Sequence, residues 1–140
     1  MTTTLKFDAI RVGDSLPSCV TPPVSRRALA LYCGASGDHN PIHVDIDFAK
    51  ASGRPDVIAH GMLSMAWLGH VLTQWAPQTA LRSYSVRFAA VTAVGERICC
   101  SGTVVEKLER NGERLARVEL VTVNQDGVVK LTGDALIALS

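Results

Sequence analysis

The chain has 140 residues, a formal net charge of +1, 47% hydrophobic residues and 19% charged ones. These values suit a globular domain long enough to bury a core, and they exclude wholesale disorder. Acids and bases are mixed along the chain, so charge gives no reason to expect a nucleic acid or an anionic membrane surface as partner.

The opening "MTTTLKFDAIRVGD" has no apolar run of signal-peptide length and carries Asp8 and Asp14 early. It does not read as an export sequence, and a cytoplasmic location is expected. A short strand or extended segment is predicted around Leu16 to Thr21. After Pro22 and Pro23, "SRRALALYCGAS" predicts a helix with Ser25 as N-cap. Its buried stripe is read as Ala28, Leu31 and Tyr32, at i, i+3 and i+4. Gly34 and Gly37 mark its exit. A dense polar loop follows, and then "DIDFAKASGRP", a short helix ending near Gly53 and Pro55.

From Val57 to Ala76 the chain reads "VIAHGMLSMAWLGHVLTQWA", long enough to imitate a membrane span. His60, Ser64, His70, Thr73 and Gln74 interrupt it and would be costly in hydrocarbon. A helix apolar round most of its circumference is more simply one surrounded by protein, here ended by Pro77.

Beyond residue 80 the segments "LRSYSVRFAAVTAV", "ERICCSGTVVEKLER", "ERLARVELVTVNQ" and "VVKLTGDALIALS" are rich in Val, Leu, Ile and Thr. Gly95, Asn111-Gly112 and Asp126-Gly127 separate them, the last two being strong hairpin signals. A run of antiparallel strands after helices argues an α+β class, with one long helix covering one face of the sheet. The four cysteines, Cys19, Cys33, Cys99 and Cys100, have neither metal spacing nor a disulfide pattern and read as structural thiols of a reducing compartment. Cys99 and Cys100, adjacent in a strand, are expected on opposite faces.

Two features carry chemistry. "SGDHNPIHVD", residues 36–45, puts Asp38 and His43 five positions apart, which on a regular helix would turn them away from each other. Pro41 disfavours helical geometry at Asn40, so a bend can swing the two side chains to one point, with Asn40 bracing it. A carboxylate and an imidazole converging on one water are the minimal equipment for general acid–base work. The bland alternative is a capped turn in which both residues only satisfy backbone groups. Asp38, His39, Asn40, His43, Asp45 and Asp47 could also offer metal ligands, but the spacing fits neither a calcium loop nor a zinc-binding H-E-x-x-H, and no metal is expected. No G-x-S-x-G elbow is present, and no local signature marks Cys33 as a nucleophile. The second feature, "IAHGMLSM", places Gly61 near the start of the long helix. A free N–H there could polarise a thioester carbonyl, though Gly61 could equally serve only close packing.

Together, "YCGASGDHNPIHVD" and "IAHGML" resemble the signature of the MaoC-like dehydratases, the (R)-specific enoyl-thioester hydratases of the hot dog superfamily: an aromatic residue, G-D-x-N-P-[I/L]-H, then H-G-M. "SVRFAAVTAVGERI" is similar to the family's strand entering the sheet. The short dehydratase subunits of mycobacterial type II fatty acid synthesis give the nearest likeness. The resemblance implies one hot dog domain over 1–140, a curved antiparallel sheet around one central helix. It also implies reversible syn hydration of trans-2-enoyl thioesters, carried by coenzyme A or acyl carrier protein, with no cofactor. The roles it implies are Asp38 and His43 on the water, the Gly61 amide on the oxyanion, and Asn40 supporting the loop. Tyr32, His60 and Met62 become candidate substrate-binding residues, and Arg87, with Arg82, a candidate for carrier phosphates. Ser64 is expected to bond a carbonyl of the preceding turn, His70 to line a tunnel or meet a partner, and His39 to face solvent. A homodimer or a heterodimer with a related subunit is expected. A non-catalytic stabilising subunit and a hot dog thioesterase are the rival readings.

Overall fold

A computed structural model of the protein describes residues 5–140. Five strands form one antiparallel sheet: β1 (Cys19–Val20), β2 (Leu81–Phe88), β3 (Ile98–Arg110), β4 (Glu113–Asn124) and β5 (Val129–Leu139), in the order β1-β3-β4-β5-β2. The helices are α1 (Arg26–Ser36), α2 (Ile46–Ala51) and α3 (Gly61–Trp75). The class is α+β, as expected.

Local chemistry accounts for the connections. Asn111 and Gly112 both have positive φ, 52° and 78°, which is the conformation a tight hairpin between twisted strands demands. Asp126-Gly127 closes the next hairpin, where the Asn124 carboxamide oxygen accepts the Asp126 and Val128 N–H groups. Residues 13–16 run along the edge of β3 through bonds between Gly13 N and Val104 O, and between Leu16 N and Gly102 O.

Two strands lack side chains at one point of the sheet. Leu120 on β4 is paired across to Gly102 on β3 and to Gly133 on β5. A Cβ on Gly102 would meet Leu120 Cδ2 at 2.8 Å, and one on Gly133 would meet Ser85 O at 3.1 Å. No larger residue fits either position without displacing its neighbours.

Against this sheet lies α3. Leu68, Val71 and Leu72 are buried among Ile98, Cys100, Val104, Val118, Leu131 and Ile137. Gly69 lets Tyr84 of β2 come close, and the Tyr84 hydroxyl donates to Met65 O at 2.6 Å, caught between helix and sheet. Burial holds that phenol well above its ordinary titration range. With 15 residues α3 is too short to cross a bilayer, and no described helix is long and apolar enough to do so.

One sequence expectation is corrected here. The stripe α1 buries is Leu29 and Cys33, with Tyr32 half-buried; Leu31 is 63% exposed and Ala28 is on the surface. Both series satisfy helical spacing, and the choice is made by the second apolar cluster of Val24, Ala49, Val57 and Ala59, which receives Leu29. The cysteines are free, with Cys99 half-buried and Cys100 buried. Burial, reinforced by Cys19 opposite it in register, pushes the Cys100 thiol up to about 12.

Candidate active site

The site is built where the end of α1, the bent loop and the start of α3 meet. Ser25 begins α1, its hydroxyl accepting the Ala28 N–H at 3.1 Å. Gly37 ends it in the left-handed conformation, φ 75°, which turns the chain outward at Asp38. Three short bonds then hold the loop. Ser36 Oγ accepts the Asp38 N–H, Asp38 Oδ1 accepts the Asn40 N–H, and Asn40 Oδ1 accepts the Ile42 N–H. Asn40 thus caps the single 3-10 turn Pro41–His43 that throws the His43 side chain inward. The Asn40 side chain therefore lies at the bend, bonded to the turn that follows it.

Asp38 and His43 come together. His43 Nε2 lies 3.8 Å from Asp38 Oδ2; the imidazole is buried, and the carboxylate side chain is 49% exposed. The other nitrogen, Nδ1, is 2.7 Å from the Ile58 carbonyl oxygen. A carbonyl only accepts, so in the neutral ring Nδ1 carries the proton and Nε2 offers its lone pair toward Asp38.

Behind His43 lies His60, with 0% of its surface exposed. The two rings stack with centroids 3.8 Å apart at 21°, and Tyr32 meets His60 edge-on at 4.7 Å. His60 Nε2 is 3.3 Å from Asp38 O and 3.3 Å from Cys33 Sγ. The Asp38 carbonyl again requires the proton on Nε2, which leaves Nδ1 buried and without a partner among the described residues. Burial first, then His43, lowers the His60 pKa below its ordinary value, so the ring stays neutral. Cys33 is a thiol, not a thiolate: burial, then the Asp38 charge, pushes its pKa up.

Asp38, His43 and His60 have ligand-type atoms within 4.8 Å of one another. With His60 Nε2 donating and His43 Nδ1 donating, only His43 Nε2 and the carboxylate face each other with free lone pairs. That pair suits a water, which can donate to both.

Beside His43 is a cavity of about 350 Å³, lined by His43, Ile58, Gly61, Ser64, Phe88 and Thr92 among others. Gly61 is the first residue of α3, and its N–H finds no acceptor among the described residues. A Cβ there would lie 3.0 Å from Phe88 Cε1, so glycine is what lets the aromatic ring and the backbone share this wall.

The other candidate residues lie elsewhere. His60 and Tyr32 stand behind His43 and do not line the cavity. Met62 points to the surface, 57% exposed. Arg87 lines a separate depression on the sheet with Glu119 and Asp134, and Arg82 is held by Glu113 at 2.6 Å. The Ser64 hydroxyl makes no bond to a carbonyl of the preceding turn among the described residues, although the Ser64 N–H donates to His60 O at 3.3 Å; the residue lines the cavity three positions after Gly61. His39 is exposed, and His70 bonds Gln74 at the rim of an apolar cleft containing Trp67.

Sequence reasoning missed the Ile58 carbonyl, the Cys33–His60 contact and the cavity face of Ser64. Ser64 had a signal, a polar residue one turn into an apolar helix. A backbone carbonyl has none.

Comparison with known proteins identifies the family and the fold. Residues 9–126 match the family model described as "MaoC like domain". The chain is 36% identical over 131 residues to the fatty acid synthase subunit beta of Saccharomyces cerevisiae, covering 91% of this chain and only 6% of that protein. It is 32% identical over 100 residues to the (R)-specific enoyl-CoA hydratase of Rhodospirillum rubrum, covering 70% of this chain and 68% of that one. Among solved structures, the unliganded R-hydratase of Pseudomonas aeruginosa superposes with a TM-score of 0.84 at 27% identity, over 97% of this chain and 86% of the other. The sheet curled on α3 is the hot dog fold, and the chain belongs to the MaoC-like domain family.

Proposed function

We propose that the chain is an (R)-specific hydratase of trans-2-enoyl thioesters, acting in reverse as a 3-hydroxyacyl-thioester dehydratase. The observation that carries this reading is His43 Nε2 facing the Asp38 carboxylate at 3.8 Å, beside a cavity that Gly61 also lines. The names of the matched relatives support it: an (R)-specific enoyl-CoA hydratase, and a mycobacterial 3-hydroxyacyl-thioester dehydratase that is 46% identical over 70 residues.

In this mechanism one water donates to Asp38 and to His43 Nε2. Its oxygen adds to C3 as one of the pair takes a proton, and a proton is delivered to C2 from the same face. The product carries all three atoms of the water, the hydroxyl on C3 and the second hydrogen on C2, so the step balances without a further reagent. Charge builds on the thioester oxygen, which the Gly61 N–H receives at the positive end of α3. The thioester itself acidifies C2, so the chemistry calls for no cofactor.

Assembly is part of the proposal. Strand β2 pairs with β5 on one side, and its other edge meets no strand among the described residues. An open edge invites pairing with a second copy or a related subunit. Substrates on coenzyme A and on acyl carrier protein both fit the site's chemistry, and free thiols suit the cytoplasm.

Incubation with crotonyl-CoA tests the activity. Loss of the enone absorbance with no free thiol, giving (R)-3-hydroxybutyryl-CoA, is expected. Release of free thiol would mean a thioesterase, and no change would leave a non-catalytic subunit.

A further inference from the structure

Lys130 on β5 is 5% exposed, and its ammonium donates to the Val91 carbonyl at 2.7 Å and to Glu96 Oε1 at 3.0 Å. Glu96 also accepts the Asn124 side-chain amide at 3.2 Å, and its second oxygen accepts the Ala93 N–H at 3.1 Å. A lysine so deeply buried is unusual. A buried ion pair is by itself weak evidence of stabilisation, because desolvation offsets the attraction. This one therefore calls for another explanation, and the partners supply it: two of the four bonds go to the backbone of a single loop.

That loop, residues 89–97, joins β2 to β3 and has no regular structure beyond one bridge, Ile58 to Ala93. Its backbone groups find partners elsewhere. The Ala89 and Ala90 N–H groups donate to Lys130 O, Val91 O accepts Lys130 Nζ, and Thr92 O accepts the Ala59 N–H at 2.9 Å. Gly95 N–H donates to Val24 O. Lys130 thus grips the loop with both main chain and side chain. The loop in turn grips residues 58 and 59. Ile58 supplies the carbonyl that orients His43, and two residues after Ala59 stands Gly61. Ala89, Ala90, Val91 and Thr92 form the cavity wall that faces His43 and Gly61.

We infer that Lys130 and Glu96 are positioning residues of the active site: their buried pair fixes the 89–97 loop, which sets the Ile58 carbonyl against His43 Nδ1 and the Gly61 amide against the substrate. Neither touches the reacting atoms. The inference rests on the hydratase reading for its kinetic consequence, but its structural half does not.

The test uses the full chain with Lys130→Met, Lys130→Arg and the charge-neutral pair Lys130→Met/Glu96→Gln. The last spares the protein an unpaired buried carboxylate where the single change fails to fold. Each folded variant is assayed for kcat and KM on crotonyl-CoA, and the His43 ring nitrogens are followed by nitrogen-15 NMR. In the native protein the ring carries its proton on Nδ1. The double variant should lose about tenfold to a hundredfold in kcat, as misplaced catalytic groups do, with KM changed by about threefold or less. Its His43 should show a mixed tautomer, and Lys130→Arg should recover part of both signals. A folded double variant with native kcat and a native His43 tautomer overturns the inference. So does a loss of thermal stability with the His43 signal unmoved, which would mark a purely structural pair. If the native chain hydrates no enoyl thioester, the hydratase reading fails while the NMR arm still decides whether Lys130 governs His43.

Discussion

The Ile58 carbonyl oxygen stands 2.7 Å from His43 Nδ1, and that contact decides which face of the imidazole is free for chemistry. With Nδ1–H engaged, Nε2 is turned to Asp38, 3.8 Å away. The separation is too long for a direct hydrogen bond and short enough for one water to touch both.

Asp38→Asn and His43→Gln should each lower kcat for crotonyl-CoA hydration by about 10²–10⁴-fold, the usual worth of a positioned acid or base. Asp38→Asn should keep the native melting temperature, because the side chain is half exposed and the carboxamide can still accept from Asn40 N–H. Steady-state kinetics and thermal unfolding on the same preparation check both halves.

The Gly61 amide can be tested by removing its proton. His60, just before it, is already extended at φ −61° and ψ 135°, a conformation a following proline accepts, and proline is well tolerated at the first position of a helix. Gly61→Ala controls for the added Cβ, which would press on Phe88 at 3.0 Å while keeping the N–H. Beyond the loss seen in Gly61→Ala, Gly61→Pro should cost about 10²–10³-fold in kcat, the measured scale for one oxyanion donor.

His60 predicts a pH dependence of stability. Its folded pKa lies below the ordinary value of 6.5, chiefly through burial, so between the two values the unfolded chain binds a proton that the folded chain refuses. The contribution of the neutral ring is complete above pH 6.5 and is lost as pH falls below it. The melting temperature should drop on acidification from pH 7 through 6, and a folded His60→Gln variant should show a shallower drop over that interval.

Leu68, fully buried between α3 and the sheet, should be a strong determinant of stability. Leu68→Ala is expected to cost about 2–5 kcal/mol in chemical denaturation, the range for a large core truncation.

Much of this could be read before any coordinates. Asn111-Gly112 marks a hairpin because few other residue pairs accept positive φ at both positions, Gly127 supplies the positive φ of the next turn, and Pro41 marks the bend that unites Asp38 with His43. The buried side of α1 could not be read from spacing, because Leu29 and Leu31 both fit a helical stripe. The cluster around Val24 and Ala49, contributed by other segments, selects Leu29. Nor does spacing show that His43 covers His60, because the stack joins residues 17 positions apart. Contacts such as Cys33 with His60 and Ile58 with His43 arise from segments distant in the chain, and no local pattern encodes them.

The central claim is that Asp38 and His43 act on one and the same water, and a double-mutant cycle on kcat tests it most directly. If they do, Asp38→Asn combined with His43→Gln should cost about as much as the more damaging single change, since residues acting as a unit are not additive. Losses that multiply across the double variant would show two independent roles and contradict the account.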